Sequence, residues 1–234
     1  MLEVRPFASL GTADHGWLRA RFHFSFSGYQ NPERVHWGAL RVWNDDTIAA
    51  GGGFPPHPHQ DMEIITYVRS GAITHEDSLG NKGRTEAGDV QVMSVGAGVV
   101  HSEFNHEDVT TTLFQIWILP SERGHRPSWG TRRFPKKDRS GHFVIFASGR
   151  PEDTEALKIG AHARVAGVSL KKGEDVVWTT DAEKYLYLVP ATGKITINGV
   201  SASARDGVAI TDETKLHIVA EEDTDLVLVE SEAI

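Results

Sequence analysis

Short runs of β-branched and aromatic residues, each closed within a few positions by Gly, Asn, Asp or Pro, recur along almost the whole chain. Ala39-Leu40-Arg41-Val42-Trp43, Ile64-Ile65-Thr66-Tyr67-Val68, Val90-Gln91-Val92-Met93 and Thr112 to Leu119 are such runs. The breaks fall at Asn44-Asp45-Asp46, Ser70-Gly71, Leu79-Gly80-Asn81 and Ala87-Gly88-Asp89. No long stretch with a 3.6-residue apolar period lies between them, so the pattern predicts an all-β barrel or sandwich. The 23 glycines fit, because tight turns need residues that tolerate positive φ. Only Pro151 to Leu157 suggests a short helix.

Two domains are expected from a chain of 234 residues with an internal echo. Tyr67 to Thr74, followed by Gly88 to Met93, reads strand, turn, strand, turn, strand. Tyr187-Leu188-Val189-Pro190, Gly193 to Gly199 and Asp206 to Ile210 repeat that order. Residues 121–140 interrupt it with seven Lys or Arg against two acids, a local +5 that leaves −13 on the rest of a chain of net charge −8. This segment reads as an interdomain connection whose cations grip the acidic face of their own protein. Docking of an acidic partner is the other reading. The division expected is residues 1–135 with a connection to about 142, then 143–234.

The chemistry concentrates in the first half. His57-Pro58-His59 and His101-Ser102-Glu103 carry little weight singly in a chain with 12 His and 32 acids. On strands, however, residues i and i+2 share a face, so each motif projects two ligands from one backbone segment. Two adjacent strands then supply three imidazoles and a carboxylate around one ion, a set suited to Fe(II), Mn, Ni, Co, Cu or Zn. With no Cys in the chain, any metal must use His and carboxylates, and disulfides and Cys nucleophiles are excluded. His75 and Gln115, on neighbouring predicted strands, are candidates to orient ligands or substrate. Phe54, Phe104, Phe114 and Trp117 are candidates for an apolar pocket, with core packing the expected role of Phe114 and Trp117. His106, His125, His142 and His162 read as solvated. The second half has no His-x-His pair, and His217 stands there without partners for a metal site.

The glycine spacing carries a family resemblance. Gly51, five residues, His57-Pro58-His59, three residues, Glu63, seven residues and Gly71 resembles the first cupin motif, with its last spacer one residue long. Gly88 through Gly96-Ala97-Gly98, His101 and Asn105 resembles the second, with Gly96 where Pro is usual. Within cupins, Gly53 to His59, Glu63 to Val68, His75 to Asn81 and Met93 to Glu103 resemble pirin. His15-Gly16-Trp17-Leu18, Phe24-Ser25-Phe26 and Leu40 to Asp46 extend the likeness to short bacterial pirins with quercetin 2,3-dioxygenase activity. Gln60 departs from the basic residue many relatives carry after the His-Pro-His motif.

The resemblance implies a bicupin, two double-stranded β-barrels of jelly-roll type, in which only the first holds a metal. The implied ligands are His57, His59, His101 and Glu103, with iron as the family's metal and Zn, Mn, Ni, Co or Cu as substitutes. Glu63 is the rival carboxylate, since it occupies the ligand position of general cupins and was expected to share strand parity with His57 and His59. It is otherwise a supporting acid. The implied activity is dioxygenation of a flavonol such as quercetin, with Glu103 taking the proton of the substrate hydroxyl and O2 as co-substrate. The alternative within the family is an iron-binding, redox-sensitive regulator of a transcription factor or metabolic enzyme, with residues 123–139 as its contact. The net charge argues against direct nucleic-acid binding, and no apolar run is long enough for a membrane helix. No secretory signal is visible at the N-terminus, so a cytoplasmic monomer is expected.

Overall fold

A computed structural model describes residues 1–234. The first half contributes β1 (Leu2–Arg5), β2 (Gly11–Asp14), β3 (Leu18–Phe22), β4 (Leu40–Ile48), β5 (Gly53–His59), β6 (Glu63–Ser70), β7 (Ala72–Asp77), β8 (Lys82–Glu86), β9 (Val90–Ser94), β10 (Val99–Phe104), β11 (Thr111–Ile118) and β12 (Ser128–Arg132). The second contributes β13 (Val144–Ser148), β14 (Leu157–Lys158), β15 (Ala163–Leu170), β16 (Asp175–Thr179), β17 (Tyr185–Thr192), β18 (Lys194–Ile197), β19 (Val200–Ser203), β20 (Gly207–Ile210), β21 (Lys215–Ala220) and β22 (Thr224–Ser231). No helix is long and apolar enough to cross a membrane.

Each half pairs a seven-stranded with a four-stranded sheet. The orders are β12-β9-β6-β11-β4-β3-β2 with β5-β10-β7-β8, and β1-β20-β17-β22-β15-β13-β14 with β16-β21-β18-β19. The echo seen in the sequence is thus a repeat of the bicupin fold. The seven-stranded sheets face each other across the largest apolar cluster, which includes Trp43, Ile65, Tyr67 and Phe114 from one half and Phe146, Tyr187, Val227 and Val229 from the other. Period-two alternation sends Ile65 and Tyr67 to that seam, while Ile64 and Val68 enter the first barrel.

The two barrel interiors differ in chemistry. The second is filled by a cluster of 16 buried apolar residues. The first holds apolar clusters of 7 and 4 residues, and it also buries Thr66, His75, Gln91, His101, Glu103 and Gln115. Buried polar groups on this scale persist only where they are hydrogen-bonded or hold something.

Four expectations are corrected. Residues Leu2–Arg5 pair with β20, so the first strand completes the second half's sheet and not its own. Asn44-Asp45-Asp46 is no turn but the buried middle of β4, where Asp45 is ion-paired with Arg69 and with Arg205 of the other half. Residues 151–156 form turns without a helix, because a segment this short does not repay nucleation and Leu157-Lys158 is drawn into parallel pairing with β13. The connecting segment is more ordered than a solvated linker: β12 extends the first sheet through β9. Its cations do grip their own chain, with Arg132 on Glu155 and with Lys136 and Arg139 on Asp225.

Candidate metal centre

β5 and β10 are antiparallel neighbours in the four-stranded sheet, with His101 opposite His57 and Val99 opposite His59. This register brings the three imidazoles together, with ring centroids 4.7 Å apart for His57–His59, 4.5 Å for His57–His101 and 5.0 Å for His59–His101. The three offer ring nitrogens within 4.8 Å of one another. His75, His101 and Glu103 form a second such group, joined to the first through His101. A bulge between His101 and Glu103 re-aims β10 at this point.

Hydrogen bonds orient two of the three rings, His57 and His101. His57 Nδ1 donates to the Pro55 carbonyl at 2.8 Å, which leaves Nε2 with its lone pair. On β7, Asp77 Oδ2 accepts from His75 Nε2 at 2.9 Å, so His75 Nδ1 becomes an acceptor facing His101 Nδ1 at 3.4 Å. His101 then carries its proton on Nδ1, and its buried Nε2 has no partner within the chain. Such carboxylate–His relays are the usual means of orienting a metal-binding imidazole. Burial, then the neighbouring imidazoles, push His101 down to about 3, and burial and His57 push His59 down to about 4. Both rings are therefore neutral at physiological pH, the state a metal requires.

Glu103 adjoins His75 and His101 and is 3% exposed. Its Oε1 accepts from Gln91 Nε2 at 2.5 Å and its Oε2 from Gln115 Nε2 at 2.8 Å. Burial raises its carboxyl to about 7 against the pull of those donors. Gln115 Oε1 in turn accepts the Trp117 indole N–H at 3.2 Å. Three converging imidazoles, one of them with an orphaned buried nitrogen, and a buried carboxylate on the same strand are a donor set that fits a divalent transition metal.

The supporting residues fall out differently from expectation. His75 and Gln115 do adjoin the cluster. Glu63 does not: it opens β6 in the opposite sheet, so strand parity with β5 does not carry across the turn at 60–62. Its side chain faces the seam, where Oε1 takes Ser94 Oγ at 2.9 Å and His125 Nε2 at 3.1 Å while burial raises its carboxyl above the usual range. His125 is accordingly no solvated residue but the connecting segment's cap on Glu63. Its carbonyl also explains Gly96, where a Cβ would come within 2.0 Å of that oxygen. Trp117 packs, as expected, on the apolar cluster of Ile64, Met93, Val95 and Val99, and its ring also meets His59 at 4.9 Å and Phe26 at 5.4 Å. Phe54 sits 6.2 Å from His57 and edge-on to Trp17 at 5.1 Å. Phe114 lies in the seam, and Phe104 stacks on His106.

Asp77, Gln91 and Trp129 were not singled out from the sequence. Asp77 was legible as the i+2 partner of His75. Trp129 was not, because nothing local shows that β12 lays its indole flat on His75, 5.0 Å away over Gly83.

The second half shows what the same scaffold becomes without the site. There, β18 and β21 pair Ile197 with Ile218 and Ile195 with Ala220, and β16 beside them carries Val176 and Trp178. These residues pack in the apolar interior of the second barrel, and Trp178 donates its indole N–H to the buried Glu230 at 2.9 Å.

Comparison with known proteins agrees. A family model described as Pirin matches residues 3–118, and one described as the quercetinase C-terminal cupin domain matches 145–230. This chain belongs to the pirin family. Among pirin relatives, a Pirin-like protein of Caulobacter vibrioides is 58% identical over 99% of this chain and 100% of its own length. A quercetin 2,3-dioxygenase of Escherichia coli strain K12 is 40% identical over 97% of each chain. The crystal structure of the bacterial pirin YhhW from Escherichia coli in complex with nickel(II) superposes with a TM-score of 0.94, at 39% identity over the whole of both chains.

Proposed function

We propose that this pirin is a metal-dependent dioxygenase that opens the central ring of a flavonol such as quercetin with O2 and releases carbon monoxide. The ligands assigned are His57, His59, His101 and Glu103, and the metal is Fe(II) or another divalent ion of the first transition row. When bound, the ion supplies a Lewis acid that acidifies the hydroxyl of the substrate. The observation that carries the reading is the group of three imidazoles, linked through His101 to the buried Glu103 and flanked by aromatic rings.

The chain's own residues then divide the work. Trp117 beside His59 and Phe54 beside His57 offer faces for a flat polyphenol. Glu103 takes the proton of the substrate's 3-hydroxyl, a transfer suited to a carboxyl raised to about 7. Gln91 and Gln115 hold its two oxygens in place. The resulting enolate is the electron-rich partner of O2. Both oxygen atoms enter the opened product and one ring carbon leaves as CO.

Metal-reconstituted protein given quercetin tests this. Carbon monoxide release and O2 uptake are expected in a one-to-one ratio over many turnovers, and neither is expected from His57→Ala/His59→Ala. Fully metallated protein that consumes O2 without releasing CO contradicts the assigned reaction.

A further inference from the structure

The seam between the two seven-stranded sheets buries two guanidinium groups. Arg139 and Arg5, each 1% exposed, lay their guanidinium groups over buried tyrosines, Arg139 at 5.3 Å from the Tyr67 ring and Arg5 at 5.6 Å from the Tyr187 ring. Their partners differ. Arg139 Nη2 donates to Asp225 at 3.0 Å and to the Tyr67 hydroxyl at 2.7 Å. Arg5 has one carboxylate, the half-exposed Glu3 at 3.0 Å from Nε, and its Nη1 is buried without an acceptor.

Beside Tyr187 the shortage deepens. His23 is fully buried, meets the Tyr187 hydroxyl through Nδ1 at 2.9 Å and has no partner at Nε2. Arg34 Nη1 and Trp43 Nε1 are also buried and unpartnered, with the Trp43 ring 6.0 Å from His23. Arg205 is neutralised by Asp45, which it shares with Arg69. Burial, followed by the charges of Arg5, Arg34 and Arg205, pushes the His23 imidazole down to about 3. Buried N–H groups and unpaired guanidinium charge on this scale are costly unless an acceptor of negative charge completes them.

We propose that Arg5, Arg34, His23 and Trp43 enclose a chloride site that ties the two halves of the molecule together. A monatomic anion accepts from several donors without demanding a fixed geometry. Packing here is tight: a Cβ on Gly207 would come within 2.0 Å of the Tyr187 hydroxyl and 2.8 Å of His23 Nδ1. So close-packed a setting favours a monatomic ion over a tetrahedral oxyanion. Arg5 lies on the strand added to the second half's sheet, whereas His23, Arg34 and Trp43 belong to the first half, so the ion bridges the seam.

The metal-replete full chain tests the site in two ways. Crystals grown in sodium bromide should show one anomalous peak within hydrogen-bonding distance of Arg5 Nη1, Arg34 Nη1 or His23 Nε2. In solution, chloride at tenfold above its Kd should raise the melting midpoint by about 4 °C over gluconate at equal ionic strength. Arg34→Met, a change at a half-buried position that spares the fold, should abolish the peak and the chloride-specific part of the shift. A water at the position in the bromide data overturns the proposal. So does a shift equal in chloride and gluconate, or one that Arg34→Met leaves intact. A bromide peak with no chloride effect in solution also counts against it, as binding at crystal concentration only.

Discussion

Replacing Gln115 with Leu isolates the support of the candidate carboxylate ligand. Glu103 has one amide donor on each oxygen, Gln91 at 2.5 Å and Gln115 at 2.8 Å. Burial has already raised its carboxyl to about 7, and both donors act against that rise by favouring the charged form. Removing one hydrogen bond to a buried carboxylate costs the ionised state about 1.5–3 kcal/mol, which moves its pKa upward by roughly 1–2 further units. At pH 7 the ionised fraction then falls from about one half to roughly 1–10%, so metal affinity should drop roughly 5- to 50-fold, comparable to the usual effect of losing a ligand's support. The deficit should shrink as pH rises toward 9, where the carboxyl ionises again. Nickel(II) titrations against a competing chelator at pH 6, 7, 8 and 9 measure this. Trp117→Phe, which removes the indole N–H on Gln115 and part of the ring that packs on His59, serves as a comparison that leaves both amide donors of Glu103 in place. Wild-type affinity within twofold at pH 7, with an unchanged pH profile, would refute the assignment of Glu103 as a ligand tuned by its amide partners.

Gly96→Ala should lower stability by about 2–3 kcal/mol, from the left-handed backbone at φ +49° and the displaced His125 carbonyl, with a fall in melting midpoint of roughly 5–10 °C. A calorimetric midpoint within 1 °C of wild type would contradict that packing. Arg139→Met leaves Asp225 buried without its guanidinium and should cost about 3–5 kcal/mol in denaturant unfolding, with Asp225→Asn in the same chain recovering part of it. For the metal-free protein, the His101 imidazole stays neutral in the fold down to about pH 3 but protonates near 6.5 once unfolded. Stability should therefore decline as pH falls through that window, by about 2 kcal/mol from this group at pH 5, and His101→Gln should flatten the slope.

The barrel strands were legible because their alternation and turn residues are local, as at Ile64 to Val68 closed by Ser70-Gly71. The three imidazoles were legible for the same reason, since i and i+2 on a strand share a face whatever the tertiary fold. Glu63 misled because its parity argument needs β5 and β6 to be one strand, and they lie in different sheets. Asn44-Asp45-Asp46 misled because the partners that let polar residues sit inside a strand, such as Arg69 and Arg205 for Asp45, are far away in sequence. Long-range placement likewise hid Trp129 on His75, His125 on Glu63 and the exchange of the first strand into the second half's sheet. The basic segment was read correctly as gripping its own protein, yet only the fold shows that Arg139 is buried in the seam.

Anomalous scattering at the metal edge, from crystals of protein loaded with a single first-row divalent ion, tests the central assignment most directly. The account predicts one ion, about 2.0–2.2 Å from His57 Nε2, His101 Nε2, a nitrogen of His59 and an oxygen of Glu103. His57 Nδ1 should remain on the Pro55 carbonyl, and no ion should occupy the second barrel, whose interior is apolar. An ion held by Glu63, or one bound without His101 or Glu103, would contradict it.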